Sequence, residues 1–469
     1  MGRKNGIYTI LLIRCGYKVP TDPGNQDRDM RLDTQAVRWG RGHAPLDHEG
    51  EAGTAHVPGI DLSTTYGFRT SNAVAESMET LLDGGASAPN PVYARLHNPT
   101  VAGFESALAK LERAEAAVAF ASGMAATSAL LMVAAAPSEG VRLPHVVAVR
   151  PVYGGTDHLL STGMLGTEVT WTSRERVGEM VRPETGLVLL ETPANPTLSM
   201  VDIRDVAAQV RDAGRVAGRV VPIAVDSTFA TPILQTPLAL GADFAVHSAT
   251  KFLGGHGDAM GGVVATSEGW AKRLRQVRMM TGGVLHPLAG YMLHRGLQTL
   301  PVRVRAQQAS ARVLVDRLTR HPSIRSVHFP GVSGDAVERR LLGTQQRGPG
   351  SVLSFRVRGG TSAALRVLES LELITRAVSL GSVDTLIQAP AHLTHRVVDP
   401  CARAESGVPD DLLRLSVGLE AVEDVWADLD QALVEAARWS ARPLGRSPDI
   451  PCRAAGPRVA LGCSRPCCG

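Results

Sequence analysis

Lysine is nearly absent from this chain. Of 49 basic side chains only Lys4, Lys18, Lys110, Lys251 and Lys272 are lysine, and 44 are arginine. Arginine keeps its proton inside a protein, whereas a partly desolvated lysine can become a neutral amine and form a Schiff base. Lys251 stands out, because it follows an apolar run and precedes a glycine-rich one in "AVHSATKFLGGHGDAMGG". Long apolar runs are also missing: none approaches the ~20 residues of a membrane span, so no membrane partner is expected. Cysteine is scarce in the body of the chain, as a reducing cytoplasm permits. Four of the six, Cys452, Cys463, Cys467 and Cys468, fall in the last eighteen residues. That "CSRPCC" ending has neither paired CxxC spacing nor a nearby histidine, so it reads as a tail with incidental thiols and no metal site is expected.

An excess of one charge is absent as well. The formal net charge of +4 comes from the end of the chain, where Arg442, Arg446, Arg453, Arg458 and Arg465 face one acid, Asp449. Residues 1 to 440 balance, which argues against a basic face and a nucleic-acid partner. The opening "MGRKNGIYTILLIRCG" mimics a signal peptide, but Arg14 interrupts the apolar run and no small-residue cleavage site follows. A cytoplasmic location is therefore expected. The next stretch, "VPTDPGNQDRD", is polar and turn-rich, so order is expected to begin near Met30, which is also a candidate start. An intact mass of the native protein that begins well before Met30 overturns that start.

What is present is alternation. "HVVAV", "EVTWT", "GLVLLET", "VPIAVDST", "FAVHSA" and "GGVVAT" read as buried strands. Between them lie helical patterns such as "VDIRDVAAQVRDAGRVAG", and "VAGFESALAKLERAEAAVAF" has helical spacing throughout. The pattern predicts an α/β domain around a mostly parallel sheet, with its ligand beyond the carboxyl ends of the strands. Long amphipathic helices follow, near "GWAKRLRQVRMM" and "LAGYMLHRGLQTLPVRVRAQQASARVLVDRLTRH". Then "SVLSFRV", "ITRAVSL" and "LLRLSVG" read as strands of a smaller α+β lobe that ends in the helix "AVEDVWADLDQALVEAARW". The expected organisation is an extension (1–29), an arm (30–97), a large domain (98–300), a small domain (301–440) and a disordered tail (441–469).

Several short motifs carry chemistry. Ser248 and Thr250 flank Lys251, where small hydroxyls can bond a phosphate while the amine reaches an aldehyde carbon. "FASGMAATSALL" closes a strand-like turn and opens a helix, so Ser122, Gly123 and Met124 offer backbone N–H groups to an anion; an ordinary capped helix start reads the same way. In "VDSTFATP", Asp226 and Thr228 end an apolar run, and a buried carboxylate there needs a partner. "VYGGT" puts Tyr153 beside two glycines, where its ring could stack on a flat cofactor or simply pack.

Taken in order, "SGMAA", "VYGGT", "ETPANPT", "VDSTFATP", "HSATKFLGGHGD", "MTGGVLHP" and "RLSVGLE" resemble the pyridoxal-phosphate-dependent enzymes of cysteine and methionine metabolism. That family includes cystathionine gamma-lyase, cystathionine gamma-synthase, methionine gamma-lyase and the homoserine sulfhydrylases. The likeness runs from about Met30 to about Ala437. It implies fold type I, pyridoxal 5'-phosphate as cofactor, and a homodimer or homotetramer with shared active sites. By resemblance, Lys251 holds the cofactor, Asp226 pairs with its ring nitrogen, and Tyr153 stacks on the ring and serves as a general acid. Ser122, Gly123, Met124, Ser248 and Thr250 match the phosphate cup, with Thr228 beside Asp226. Tyr93 and Arg95 match residues that reach a neighbouring subunit's phosphate. Glu191 and Asn195 match residues near the cofactor face, and Ser379 and Arg414 those that grip a substrate carboxylate.

Two departures bear on the substrate. Gly155 stands where methionine gamma-lyases typically carry cysteine, and Arg278 and Met279 replace a Lys-Asp pair. Both count against a methionine gamma-lyase in the strict sense. Asp384 replaces a common glutamate, His392 a small residue, and His97 is unusual for its place. The expected activity is a carbon–sulfur lyase acting on cystathionine, homocysteine or a related amino acid. A gamma-replacement synthase is the alternative, and a non-catalytic binding protein that kept the fold is a third reading.

Overall fold

The computed structural model describes residues 30–39, 56–136, 142–332 and 334–440. The extension, the tail and their cysteines lie outside the described residues. Seven strands form one sheet: β1 (Ala116–Phe120), β2 (His145–Val149), β3 (Glu168–Thr172), β4 (Thr185–Glu191), β5 (Ile223–Asp226), β6 (Phe244–Ser248) and β7 (Gly262–Thr266). Their order is β1-β7-β6-β5-β4-β2-β3. The pairs from β6 through β5, β4 and β2 to β3 are parallel, and β7 is antiparallel to both of its neighbours. Continuous apolar runs suit such a sheet because helices cover both faces.

Period-two alternation then decides which side chains face which layer. Ile223 and Val225 pack with the helix Ile203–Ala217, while Ala224 and Val246 pack with the helix Gly123–Ala135 on the opposite face. Leu187 and Leu189 share that second face. Glu191, Asp226 and Ser248 continue the same alternation at the carboxyl ends of three adjacent strands. Register supports this, since Glu191 lies opposite Asp226 and Asp226 opposite Val246. The sheet thus gathers three polar side chains beside the start of one helix.

A second sheet holds β8 (Ile324–His328), β9 (Val352–Val357), β10 (Thr375–Arg376), β11 (Leu386–Gln388) and β12 (Leu412–Ser416), in the order β10-β11-β12-β9-β8. Leu353, Phe355, Ile387, Leu413 and Leu415 face a core shared with the helices Gly360–Ser370 and Val422–Ser440. The alternate residues Ser354, Gln388 and Arg414 are cross-strand neighbours on the other face. The Ser354 hydroxyl bonds the Pro196 carbonyl at 2.7 Å, so this face looks at the large sheet.

Three expectations change. The segment with helical spacing splits into a helix, Pro99–Glu112, and β1, because Arg113 turns left-handed at φ 57°. Pairing with β7 then overrides the helix propensity of its alanines. In "ITRAVSL" only Thr375 and Arg376 form strand. The boundary expected between 300 and 301 falls inside one helix, Pro287–Arg320. Leu293, Leu297 and Leu300 of that helix belong to the large core, and Ala311, Leu314 and Leu318 to the small one. Among the described residues, no helix is long and apolar enough to cross a membrane.

Candidate active site

Lys251 sits in the turn after β6, half-buried, and its Nζ donates to the Ser379 hydroxyl at 2.7 Å. Burial, then the nearby Arg414 guanidinium, pulls its pKa from 10.5 to about 8. The amine is therefore available in neutral form near physiological pH, as the scarcity of lysine suggested.

Asp226 and Ser248 are joined through Thr228. Thr228 donates its N–H (3.0 Å) and its hydroxyl (2.5 Å) to Asp226 Oδ1, and its hydroxyl accepts the Ser248 N–H at 2.9 Å. Burial raises the Asp226 pKa against those hydrogen bonds. Both bonds fall on Oδ1, so among the described residues Oδ2 accepts none. A half-buried carboxylate with one oxygen unspent wants a cationic or N–H partner.

Ser122 caps the helix Gly123–Ala135, accepting the Ala125 N–H at 3.1 Å. The first N–H groups of a helix have no intrahelical acceptor. Gly123 lies so close to Ser248 that a Cβ there would sit 2.9 Å from the Ser248 Cβ, which keeps this end of the helix open beside the serine. Thr250 differs from expectation: its hydroxyl donates to Gly261 O (3.2 Å) and accepts the Gly261 N–H (3.1 Å), so it is engaged by the protein's own backbone.

Glu191 and Asn195 brace the site. Glu191 accepts the Tyr153 N–H on Oε2 (2.6 Å) and the Asn195 N–H on Oε1 (2.8 Å). Burial and then Asp226 push its pKa well above the carboxylate range. Asn195 Oδ1 accepts from Arg414 Nη1 at 2.9 Å, and Arg414 Nη2 donates to Ser379 O at 2.7 Å. Ser379 adopts φ 96°, a costly left-handed backbone for a serine. With its amide oxygen turned toward Arg414, Gln388 adds contacts of 2.5 and 3.1 Å. Among the described residues no carboxylate is hydrogen-bonded to Arg414, Glu191 acting on it only through space, and its buried Nε has no partner. The guanidinium is thus a buried cation held by neutral acceptors.

The sequence motifs single out every one of these residues except Gln388 and His395. The imidazole of His395 is buried against Val152 and Asn195. Gln388 was findable by alternation with Ile387; His395 was not, because only the tertiary fold brings it near. Tyr93 and Arg95 stand apart from the cluster. Tyr93 is 43 % exposed, the Arg95 guanidinium lies 5.5 Å from its ring centroid, and Arg95 donates to Met279 O at 2.7 Å. His392 turns to the Asp410 carbonyl at 3.1 Å and Asp384 is exposed. His97 is partly buried, and burial lowers its pKa. A cavity of about 550 Å³ lies apart from this cluster, between Arg312, Phe329, Leu342 and Arg347.

The two departures have distinct physical contexts. Arg278 is buried and held by Glu105 Oε1 (2.5 Å) and Ala119 O (2.9 Å). At Gly155, a Cβ would sit 2.7 Å from the Tyr153 Cε1 and 3.3 Å from the Met124 sulfur. The missing side chain lets the Tyr153 ring lean over position 155. Gly155→Ala should move that ring and lower kcat roughly tenfold or more, a normal cost of misplacing a reacting group by about an ångström. Because Tyr153 is 39 % exposed, the thermal midpoint should barely change. An unchanged kcat would show that the ring is not constrained here.

The residues fit pyridoxal 5'-phosphate: a depressed lysine for the aldehyde, a half-buried aspartate with a free oxygen for the ring nitrogen, and a helix start with a serine for the phosphate. Comparisons with known proteins agree. The family model described as Cys/Met metabolism PLP-dependent enzyme matches residues 33–434. A protein named L-methionine gamma-lyase from Brevibacterium sandarakinum is 51 % identical over 393 residues, 83 % of this chain and 95 % of its own. Cystathionine gamma-lyase from Bacillus subtilis is 40 % identical over 347 residues, 73 % of this chain and 88 % of its own. Among solved structures, cystathionine gamma-lyase from Lactobacillus plantarum in complex with L-serine superposes with a TM-score of 0.76. It is 30 % identical and covers 87 % of this chain and 100 % of its own.

Proposed function

The chain belongs to the Cys/Met metabolism PLP-dependent enzymes and is a pyridoxal-phosphate-dependent lyase of fold type I; from that premise we propose that it removes the gamma substituent of L-methionine or a close thioether relative, releasing a thiol, a 2-oxo acid and ammonia. The observation that carries the reading is the pairing of a depressed lysine with a buried guanidinium that lacks a carboxylate partner. An α-amino acid brings a carboxylate to the second and a proton for the first.

Held by Lys251, the cofactor would supply an electrophilic carbon that the substrate amine takes over from the lysine, and a ring that takes up electrons when its nitrogen is protonated. Asp226, through Oδ2, would hold that proton on the ring nitrogen. Ser122, Gly123, Met124 and Ser248 would hold the phosphate, whereas Thr250, whose N–H and hydroxyl both donate to Gly261 O, would reach it only by giving up one of those bonds. Arg414, braced by Asn195 and Ser379, would orient the α-carboxylate. The freed Lys251 amine is then placed to take the α proton, and Tyr153 to give a proton to the leaving sulfur. Tyr93 and Arg95 would serve the site of a neighbouring copy. The exposed Leu62 and Phe68 on the same arm, each 61 % exposed, support an assembled dimer. The cysteine-poor body supports a cytoplasmic setting.

The relatives favour a lyase, so the replacement-synthase alternative is set aside. Within the lyases, the names of the relatives at about 51 % identity favour methionine, whereas Gly155 favours a cystathionine-type substrate. One solved relative from Micromonospora echinospora, 36 % identical, is described both as a cystathionine and as a methionine gamma-lyase. The site and the name are therefore loosely coupled. Assaying 2-oxo acid release with L-methionine, L-homocysteine and L-cystathionine tests the proposal. Methionine should be turned over at a kcat/KM at least matching the others. No 2-oxo acid from methionine, with release from cystathionine, would transfer the assignment to the latter.

A further inference from the structure

His395 touches neither Lys251 nor Arg414, yet it contacts both segments that carry the groups around them. Its Nε2 lies 3.2 Å from Val152 O and 3.2 Å from Asn195 O. Carbonyl oxygens only accept, so Nε2 carries the hydrogen and shares it between them. Nδ1 lies 3.1 Å from the Thr394 hydroxyl, which donates to it when the ring is neutral. Burial, and next Arg414, drive its pKa down to about 4, in agreement with that tautomer.

The two carbonyls belong to segments already joined once. Glu191 receives the N–H groups of Tyr153 and Asn195. His395 gives its N–H to the carbonyls of Val152 and Asn195, from a loop of the small domain between β11 and β12. One carboxylate and one imidazole therefore fasten the same two segments from the acceptor and the donor side. Asn195 in turn holds Arg414 Nη1, and Arg414 lies on β12 of the small domain.

We propose that His395 is a positioning residue: it locks the Val152–Tyr153 and Asn195 segments to the small domain and so sets the Asn195–Arg414 grip on the substrate's α-carboxylate. The inference rests on the reading of Asn195 and Arg414 as that grip. Without His395, the Asn195 main chain keeps its N–H bond to Glu191 but loses the bond to its carbonyl, and the side chain that meets Arg414 Nη1 stands on a looser base. Binding of the carboxylate should suffer, while binding through the amine should not.

The test uses the holoenzyme and two small ligands, glycine and glycinamide, with affinity read from the visible absorbance of the bound cofactor. His395→Ala should weaken glycine roughly tenfold, the worth of one or two hydrogen bonds, and glycinamide less than about twofold. His395→Gln, whose amide nitrogen reaches the place of Nε2, should recover most of the glycine affinity. His395→Asn, whose amide matches Nδ1 and falls short of the carbonyls, should not. The Gln and Asn pair carries the test if the alanine variant fails to fold. Equal weakening of both ligands, or no advantage of Gln over Asn, overturns the inference. Asn195→Ala is the control. If it leaves the preference for glycine over glycinamide intact, the carboxylate grip itself is misread; if it erases that preference while the His395 variants do not, only the role of His395 fails.

Discussion

Lys251→Ala is expected to lower lyase turnover by about 10⁴-fold, the upper end of what a positioned proton-transferring group supplies, and to remove the visible absorbance of covalently held cofactor. The sequence context offers no substitute amine: of the four other lysines, Lys4 and Lys18 lie outside the described residues, Lys110 packs over Trp39, and Lys272 pairs with Asp83. Retained absorbance together with retained turnover would overturn the assignment.

The same residue carries a stability signature in the apoenzyme. Its folded pKa, about 8, lies below the unfolded value of 10.5. Between those values the unfolded chain binds more protons than the folded one, so stability rises with pH across that window. The burial penalty is therefore fully present below about pH 8 and gone above about 10.5. The depression corresponds to roughly 3 kcal/mol. Lys251→Met, which keeps the volume and drops the charge, should stabilise the apoenzyme by up to about that amount at pH 7 and by little at pH 10.5. Urea unfolding of the two apoproteins at both pH values checks the sign. A gain equal at the two pH values would assign the effect to packing instead.

How far the sequence foretold this site follows from the kind of signal each residue leaves. Lys251 was visible because the composition avoids lysine. Asp226 is visible because an apolar strand ends in it and Ser248 because it flanks Lys251, whereas Glu191 is reached through the family resemblance; the alternation that puts Leu189, Ala224 and Val246 on one face carries all three along. Arg414 is likewise reached through the resemblance, and it interrupts the apolar run "LLRLS". His395 interrupts no pattern, since the loop around it has no period and its partners lie 200 and 243 residues away in sequence. The helix Pro287–Arg320 hid the domain boundary for the opposite reason. Its periodicity is unbroken because each end buries one face in a different core. Local patterns record which face is buried, and they do not record against what.

Arg414→Leu should lower kcat/KM by about 10³-fold, mostly through KM, because removing one partner of a buried charge pair with a substrate carboxylate costs several kcal/mol. Burial pulls this guanidinium from 12.5 to about 10, and the protein gives it only neutral acceptors at Asn195, Ser379 and Gln388. Two opposing terms then act on the fold. The leucine removes a desolvated charge, which stabilises, and strands three acceptors, which costs about 1–3 kcal/mol apiece when they stay buried. Those terms are of the same order, so the apoenzyme's thermal midpoint should move by only a few degrees while catalysis collapses. Arg414→Lys discriminates further. An ammonium keeps the charge but not the fork that spans Asn195, Ser379 and a carboxylate together, so it should recover part of the affinity and little of the orientation. Its KM should fall between those of the wild type and the leucine variant, with kcat still depressed. An Arg414→Leu enzyme whose KM is unchanged would place the substrate carboxylate elsewhere, and the buried guanidinium would then be a structural cation alone.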